Sequence, residues 1–156
     1  MKVAFSSILT CTFVLSAGCA PNSLVARLKD RGVTPVTTAK LKFVGTEADV
    51  GPDIYVAVED PEVLKSVWTR IYSATPTKHW CACGFRRIEF YTGKKAERPT
   101  TVLLVNATDA AYVEGDYWHH FDSHREKYYG LARCPGLHKL VMSHLEEEYE
   151  RQKDGA

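Results

Sequence analysis

His79, Cys81 and Cys83 form an H-x-C-x-C cluster. One imidazole and two thiolates make a soft ligand set suited to copper(I) or zinc. A spacing of two is less specific than paired C-x-x-C motifs, and an oxidised pair cannot coordinate as thiolates. Cys134 offers these cysteines a competing use. A bridge from Cys83 or Cys81 to Cys134 would close a loop of about 50 residues and contribute ~4 kcal/mol in the loop-entropy account. Cys83 is the favoured partner because it lies nearer the following strand, which leaves Cys81 as a spare thiol. The structural bridge is the favoured reading, with metal handling through His79, Cys81 and Cys83 as the alternative. No cofactor is expected.

A second concentration of chemistry runs through Asp116, Tyr117, Trp118, His119, His120, Phe121, Asp122, Ser123 and His124. Histidine beside aspartate can bind zinc or act as base and orienter. On extended backbone His119 and His120 point to opposite faces, so at most one of them can join His124 in a site. Ser123 lacks the strand-turn-helix frame of a nucleophile elbow. The aromatic content fits a contact surface as well as it fits a site, because Trp and Tyr supply large amphipathic area. Tyr117, Trp118, His119 and Phe121 are therefore the candidate partner-binding residues, and an envelope hydrolase using the His119 to His124 stretch is the enzymatic alternative. Asn106, Ala107 and Thr108 form a glycosylation sequon, which has meaning only in a eukaryotic secretory route.

The elements that must position these residues are legible in parts. Ile54, Val56 and Val58 alternate with Tyr55, Ala57 and Glu59, the pattern of a half-buried strand. Asp60 then offers an N-cap, Pro61 suits the first helical position and Glu62 favours the helix dipole. Val63, Leu64, Val67, Trp68, Ile71 and Tyr72 recur at helical spacing until Pro76, and Trp68 reads as core. Phe85 to Tyr91, Thr101 to Asn106, Ala110 to Glu114 and Lys127 to Leu131 read as strands of a meander, with an aromatic-rich loop from Gly115 to His124. After Cys134, Pro135 and Gly136, a last helix carries Leu137, Leu140, Val141, His144, Leu145 and Tyr149 on one face. The expected fold is a two-layer α+β domain, with an antiparallel sheet of four to five strands and two main helices on one face.

The N-terminus says where this chemistry takes place. Met1 and Lys2 precede an apolar run from Val3 to Leu15 that is too short to span a bilayer but suits a cleaved export signal. Leu15, Ser16, Ala17, Gly18 and Cys19 resemble the lipobox of bacterial lipoproteins, in which small residues precede a cysteine that is acylated before cleavage. The resemblance covers only about the first 20 residues. It implies a signal peptide over residues 1–18, acylation of Cys19 and attachment to a lipid bilayer in the cell envelope. Ala20 rather than Asp after the cysteine implies outer-membrane delivery in a Gram-negative host.

Residues 19–39 then read as lipidated N-terminus and connector, and residues 40–156 as one domain. Apolar residues make up 45% of the chain, enough to support a folded core, while 20 Lys plus Arg nearly balance 19 Asp plus Glu. That balance argues against a nucleic-acid partner. The expected role is a non-catalytic binding or assembly module with an envelope protein as its partner.

Overall fold

The computed structural model describes residues 23–45, 54–78, 84–115, 118–122, 125–129 and 131–155. Cys19 and the rest of the export segment, His79, Cys81, Cys83, Asp116, Tyr117, Ser123 and His124 lie outside these residues.

Helix α1 (Ser23–Asp30) lies within the segment read as connector, and it is followed by a turn centred on Thr34 and Thr37. Its spacing puts Leu24 and Leu28 one turn apart on one face. Both are fully buried, as is Val33 just beyond. Strand β1 (Lys40–Val44) follows, then β2 (Tyr55–Val58) and helix α2 (Pro61–Tyr72). The start of α2 matches the sequence expectation in detail: Asp60 Oδ1 accepts from the amides of Glu62 at 2.8 Å and Val63 at 3.4 Å, with Pro61 in the first turn.

Strand β3 (Thr75–Pro76), β4 (Arg86–Tyr91), β5 (Thr101–Val105), β6 (Ala110–Val113), β7 (Trp118–Asp122), β8 (Arg125–Tyr129) and β9 (Ala132–Arg133) follow, before the closing helix α3 (Leu137–Asp154).

The fold is α+β with an antiparallel sheet, but that sheet has seven strands in the order β2-β1-β4-β5-β6-β9-β3, not four to five. Two differences account for the larger sheet. Lys40 and Lys42 disguise β1, since lysine is depleted in strands, and β3 and β9 are two-residue strands with no periodicity to read. The meander assignment also changes at its end. Residues 118–122 of the expected aromatic loop form strand β7, which pairs with β8 in a separate two-stranded ribbon rather than leading to a fourth strand of the main sheet.

Register fixes which residues reach the core. Val56, Phe43, Ile88, Leu103 and Val113 are successive cross-strand partners over five strands. Val58, Leu41, Phe90 and Thr101 form the next row. The apolar residues of these rows, with Val105, Ala111 and Ala132, join Leu24, Leu28, Val67, Trp68, Ile71, Leu137, Val141 and Leu145 in one apolar cluster. The helices' buried residues and one set of alternating strand positions thus form a single core. The other set carries polar chemistry. Lys42 Nζ lies 4.1 Å from the centre of the Tyr55 ring and Lys40 Nζ 4.8 Å from that of Tyr91. Arg87 and Glu89 approach to 3.5 Å, and the Tyr91 hydroxyl donates to Glu89 at 2.7 Å. Lysine is tolerated in β1 because its stem and charge can lie over these rings.

Candidate functional site

Two features stand out from this frame, and the first is the ribbon. β6 and β9 are themselves paired, at Ala110↔Arg133 and Ala111↔Ala132. The chain therefore leaves the sheet after Val113 and re-enters it at Ala132, and the ribbon is an excursion anchored at that closed base. Among the described residues, β7 and β8 pair only with each other.

The register Trp118↔Tyr129, His119↔Tyr128, His120↔Lys127, Phe121↔Glu126 and Asp122↔Arg125 sorts the residues by face. His119, Phe121, Glu126 and Tyr128 occupy one face. Trp118, His120, Asp122, Arg125, Lys127 and Tyr129 occupy the other. Of the candidate binding residues, His119 and Phe121 share a face and Trp118 does not. The alternation also separates His119 from His120.

The cysteine chemistry is different in kind. Cys134 is a free thiol with no exposed surface. Burial, with a smaller contribution from the Asp109 carboxylate, pushes its pKa up to about 12. A thiol held neutral in this way is a poor nucleophile and a poor metal ligand. Its expected bridging partner Cys83, together with Cys81 and His79, lies outside the described residues. Among the described residues, no group of three or more His, Cys, Asp or Glu side chains converges as a metal site.

Asn106 of the sequon is fully buried. Its Oδ1 accepts from Thr108 N at 3.0 Å, Thr108 Oγ1 at 2.8 Å and Ala110 N at 3.0 Å, which shapes the β5–β6 turn. A side chain engaged in this way is part of the turn and not a modification site. His144 lies half-buried against Phe43, with ring centres 5.6 Å apart, as a core-edge residue.

The second feature is a groove of about 370 Å³ lined by Pro35, Pro61, Leu64, Lys65, Trp68, Thr69 and Tyr72. Successive turns of α2 supply Pro61, Leu64, Lys65, Trp68, Thr69 and Tyr72, while the turn after α1 supplies Pro35. Val36 beside it is 94% exposed and Tyr72 is 55% exposed, so apolar surface extends past the rim. Trp68 read as core in the sequence, and it is also a groove wall. Its ring stacks toward Tyr72 at 5.9 Å and meets Phe90 edge-on at 5.8 Å. The i, i+4 pair Trp68 and Tyr72 was the only local signal of this groove. Its other wall comes from a turn some thirty residues earlier. Among the described residues, no helix is long and apolar enough to cross a membrane. Comparison with protein-family models, curated proteins and solved structures finds no match to the chain.

Proposed function

We propose that this chain is an envelope lipoprotein, anchored in a lipid bilayer through acylated Cys19, whose α+β domain is a non-catalytic module that binds an envelope protein or supports an assembly. The observation that carries the binding part is the β7–β8 ribbon, a two-stranded excursion rich in aromatic residues whose strands pair only with each other among the described residues. An isolated two-stranded ribbon is marginally stable in water. A partner that covers one of its faces would supply the missing burial, and Trp, Tyr and Phe are the residue types that dominate such contacts.

The anchoring part rests on the lipobox-like sequence ending at Cys19 and on the few residues between it and α1, which hold the domain near the bilayer. Outer-membrane delivery follows from Ala20 in a Gram-negative host. The reading also takes α2 and α3 to pack side by side over one face of the sheet. Support for that comes from the single cluster in which Val67, Ile71, Val141 and Leu145 join Phe43 and Ile88.

The binding claim is tested by cross-linking in intact envelopes, comparing the native chain with Phe121→Ala and Trp118→Ala. Loss of a cross-linked partner in one or both variants is expected. An unchanged interaction profile in both would count strongly against the ribbon as the contact surface.

A further inference from the structure

The turn after α1 is braced from within and carries its apolar residues outward. Thr34 N donates to Thr37 Oγ1 at 2.8 Å, and Thr37 N donates to Thr34 Oγ1 at 3.1 Å. Thr37 Oγ1 donates to the Gly32 carbonyl at 2.8 Å, and Thr38 Oγ1 donates to the Thr34 carbonyl at 2.7 Å. Pro35 and Val36 stand between the two braced threonines. Proline fixes its own φ and has no N–H, so the tip is held in one shape. Val36 is 94% exposed, which leaves a β-branched apolar side chain almost wholly in water at the end of a well-bonded turn. A lone exposed apolar residue is ordinary. Here, however, Pro35 and the exposed Tyr72 line one groove, and the tip continues its apolar surface.

We propose that Pro35 and Val36 form a membrane-contact tip, which enters the interface of the bilayer that holds Cys19 and so fixes which side of the domain lies against the lipid. This contact depends on the anchoring proposed for Cys19.

Three observations select a bilayer as the occupant. The first is reach. Only Ala20, Pro21 and Asn22 separate Cys19 from Ser23, a tether of about 14 Å when extended. Helix α1, with its 8 residues, is about 12 Å long, so the turn at its far end touches the bilayer even with α1 upright. The β2 edge of the sheet lies four strands from β6, against which α1 packs, a distance of about 19 Å that exceeds the tether. The second observation is the low cost of entry. Residues 32–38 carry no charge, and the hydroxyls of Thr34, Thr37 and Thr38 are bonded within the turn. The tip therefore sheds water without burying an ion or stranding a hydroxyl. The third is shape. A side chain this exposed stands clear of its neighbours, and a protein partner needs a matching pocket for it, whereas lipid closes around any apolar protrusion.

So small a tip cannot bind a membrane alone, since even one myristoyl chain gives only marginal attachment. Once acyl chains hold the domain the contact is intramolecular, and a modest apolar gain is enough to orient it. Tyr72 suits the same depth, because tyrosine collects at the membrane–water interface.

The test is photolabelling of the membrane-extracted full chain, reconstituted in phosphatidylcholine vesicles that contain a phosphatidylcholine with a diazirine in its acyl chain. Trypsin cuts after Arg31 and Lys40 and releases residues 32–40 as one peptide. The expected result is labelling of that peptide, reduced about tenfold in Val36→Asn, the fold-change that corresponds to one valine side chain leaving an apolar phase. The intact mass of the same sample reports acylation and separates the two ways of failing. An acylated chain labelled elsewhere, as on β7 and β8, or labelled equally at residues 32–40 in Val36→Asn, overturns the tip. Cross-linking of residues 32–40 to a protein in intact envelopes, with no lipid label there, gives the turn to a protein partner instead. A chain with no acyl mass overturns the anchoring and the tip with it.

Discussion

The Asp109 carboxylate accepts from the backbone amide of His138 at 3.0 Å, across 29 residues of sequence. Its second oxygen accepts from Gly136 N at 2.8 Å. Helix α3 begins at a glycine with φ 73° and no side-chain cap of its own, so the β5–β6 turn supplies the cap from outside. The Asp109 carbonyl also accepts from the Cys134 amide at 2.8 Å, and Asp109 holds a left-handed φ of 63°. A negative group at these orphan amides also complements the helix dipole. The turn, the end of the sheet and the last helix are therefore locked by one aspartate.

Replacing Asp109 should test that lock. Asp109→Ala should cost about 1–2 kcal/mol for the lost cap and about 1 kcal/mol more for alanine in a left-handed conformation. Asp109→Asn keeps an acceptor and tolerates that backbone, so its loss should be the smaller. Urea denaturation of both variants checks the order, and equal losses would mean that the cap contributes little.

Helix α1 should behave as part of the domain. Leu28 is fully buried in the common core, so Leu28→Ala should destabilise by about 2–5 kcal/mol, the range for such truncations. A stability unchanged within about 0.5 kcal/mol would make residues 23–33 a dispensable connector.

Thr101→Val should have the opposite sign. Removing a buried hydroxyl that lacks a partner leaves no donor stranded, so the variant should unfold at the same urea concentration as the native chain or a higher one. A loss above about 1 kcal/mol would show that the hydroxyl has a stabilising partner in solution.

Alkaline pH should weaken the fold through two residues. Burial, then the bond to Glu89, raises the Tyr91 hydroxyl from 10.0 to about 12, and burial raises Cys134 from 9.0 to about 12. Both groups are neutral in the folded chain at a pH where the unfolded chain has already lost their protons. Their contribution is complete below about pH 9 and declines as pH rises towards 12, with each released proton worth about 1.4 kcal/mol per pH unit. Urea midpoints should fall between pH 9 and 11, and less steeply in Cys134→Val and Tyr91→Phe. In the same terms, Cys134 should resist alkylation at pH 8 until the chain is unfolded. Rapid native-state labelling at Cys134 would contradict its burial.

How far the sequence reveals this molecule depends on the range of each signal. Strand β2 and helix α2 were readable because alternation, Asp60 and Pro61 act within a few residues of one another. The face of α3 was readable from Leu137, Val141 and Leu145 at helical spacing. By contrast, α1 is short and carries Arg27 and Lys29 in its last turn, while the lysines of β1 are explained only by rings on neighbouring strands. The run Trp118-His119-His120-Phe121 lacks the alternation that would have marked it as a strand. The groove depends on Pro35 meeting α2, a long-range contact that no local pattern encodes, and the cap from Asp109 to α3 is of the same kind. The ribbon's aromatic content was visible in the sequence, but its separation from the main sheet was not.

The central claim, a lipid-anchored binding domain, is tested most directly by the intact mass of the chain expressed in bacteria and extracted from membranes. The expected species is a polypeptide beginning at Cys19 with the added mass of acyl chains. A chain that begins elsewhere, or that carries no acyl mass, would contradict it.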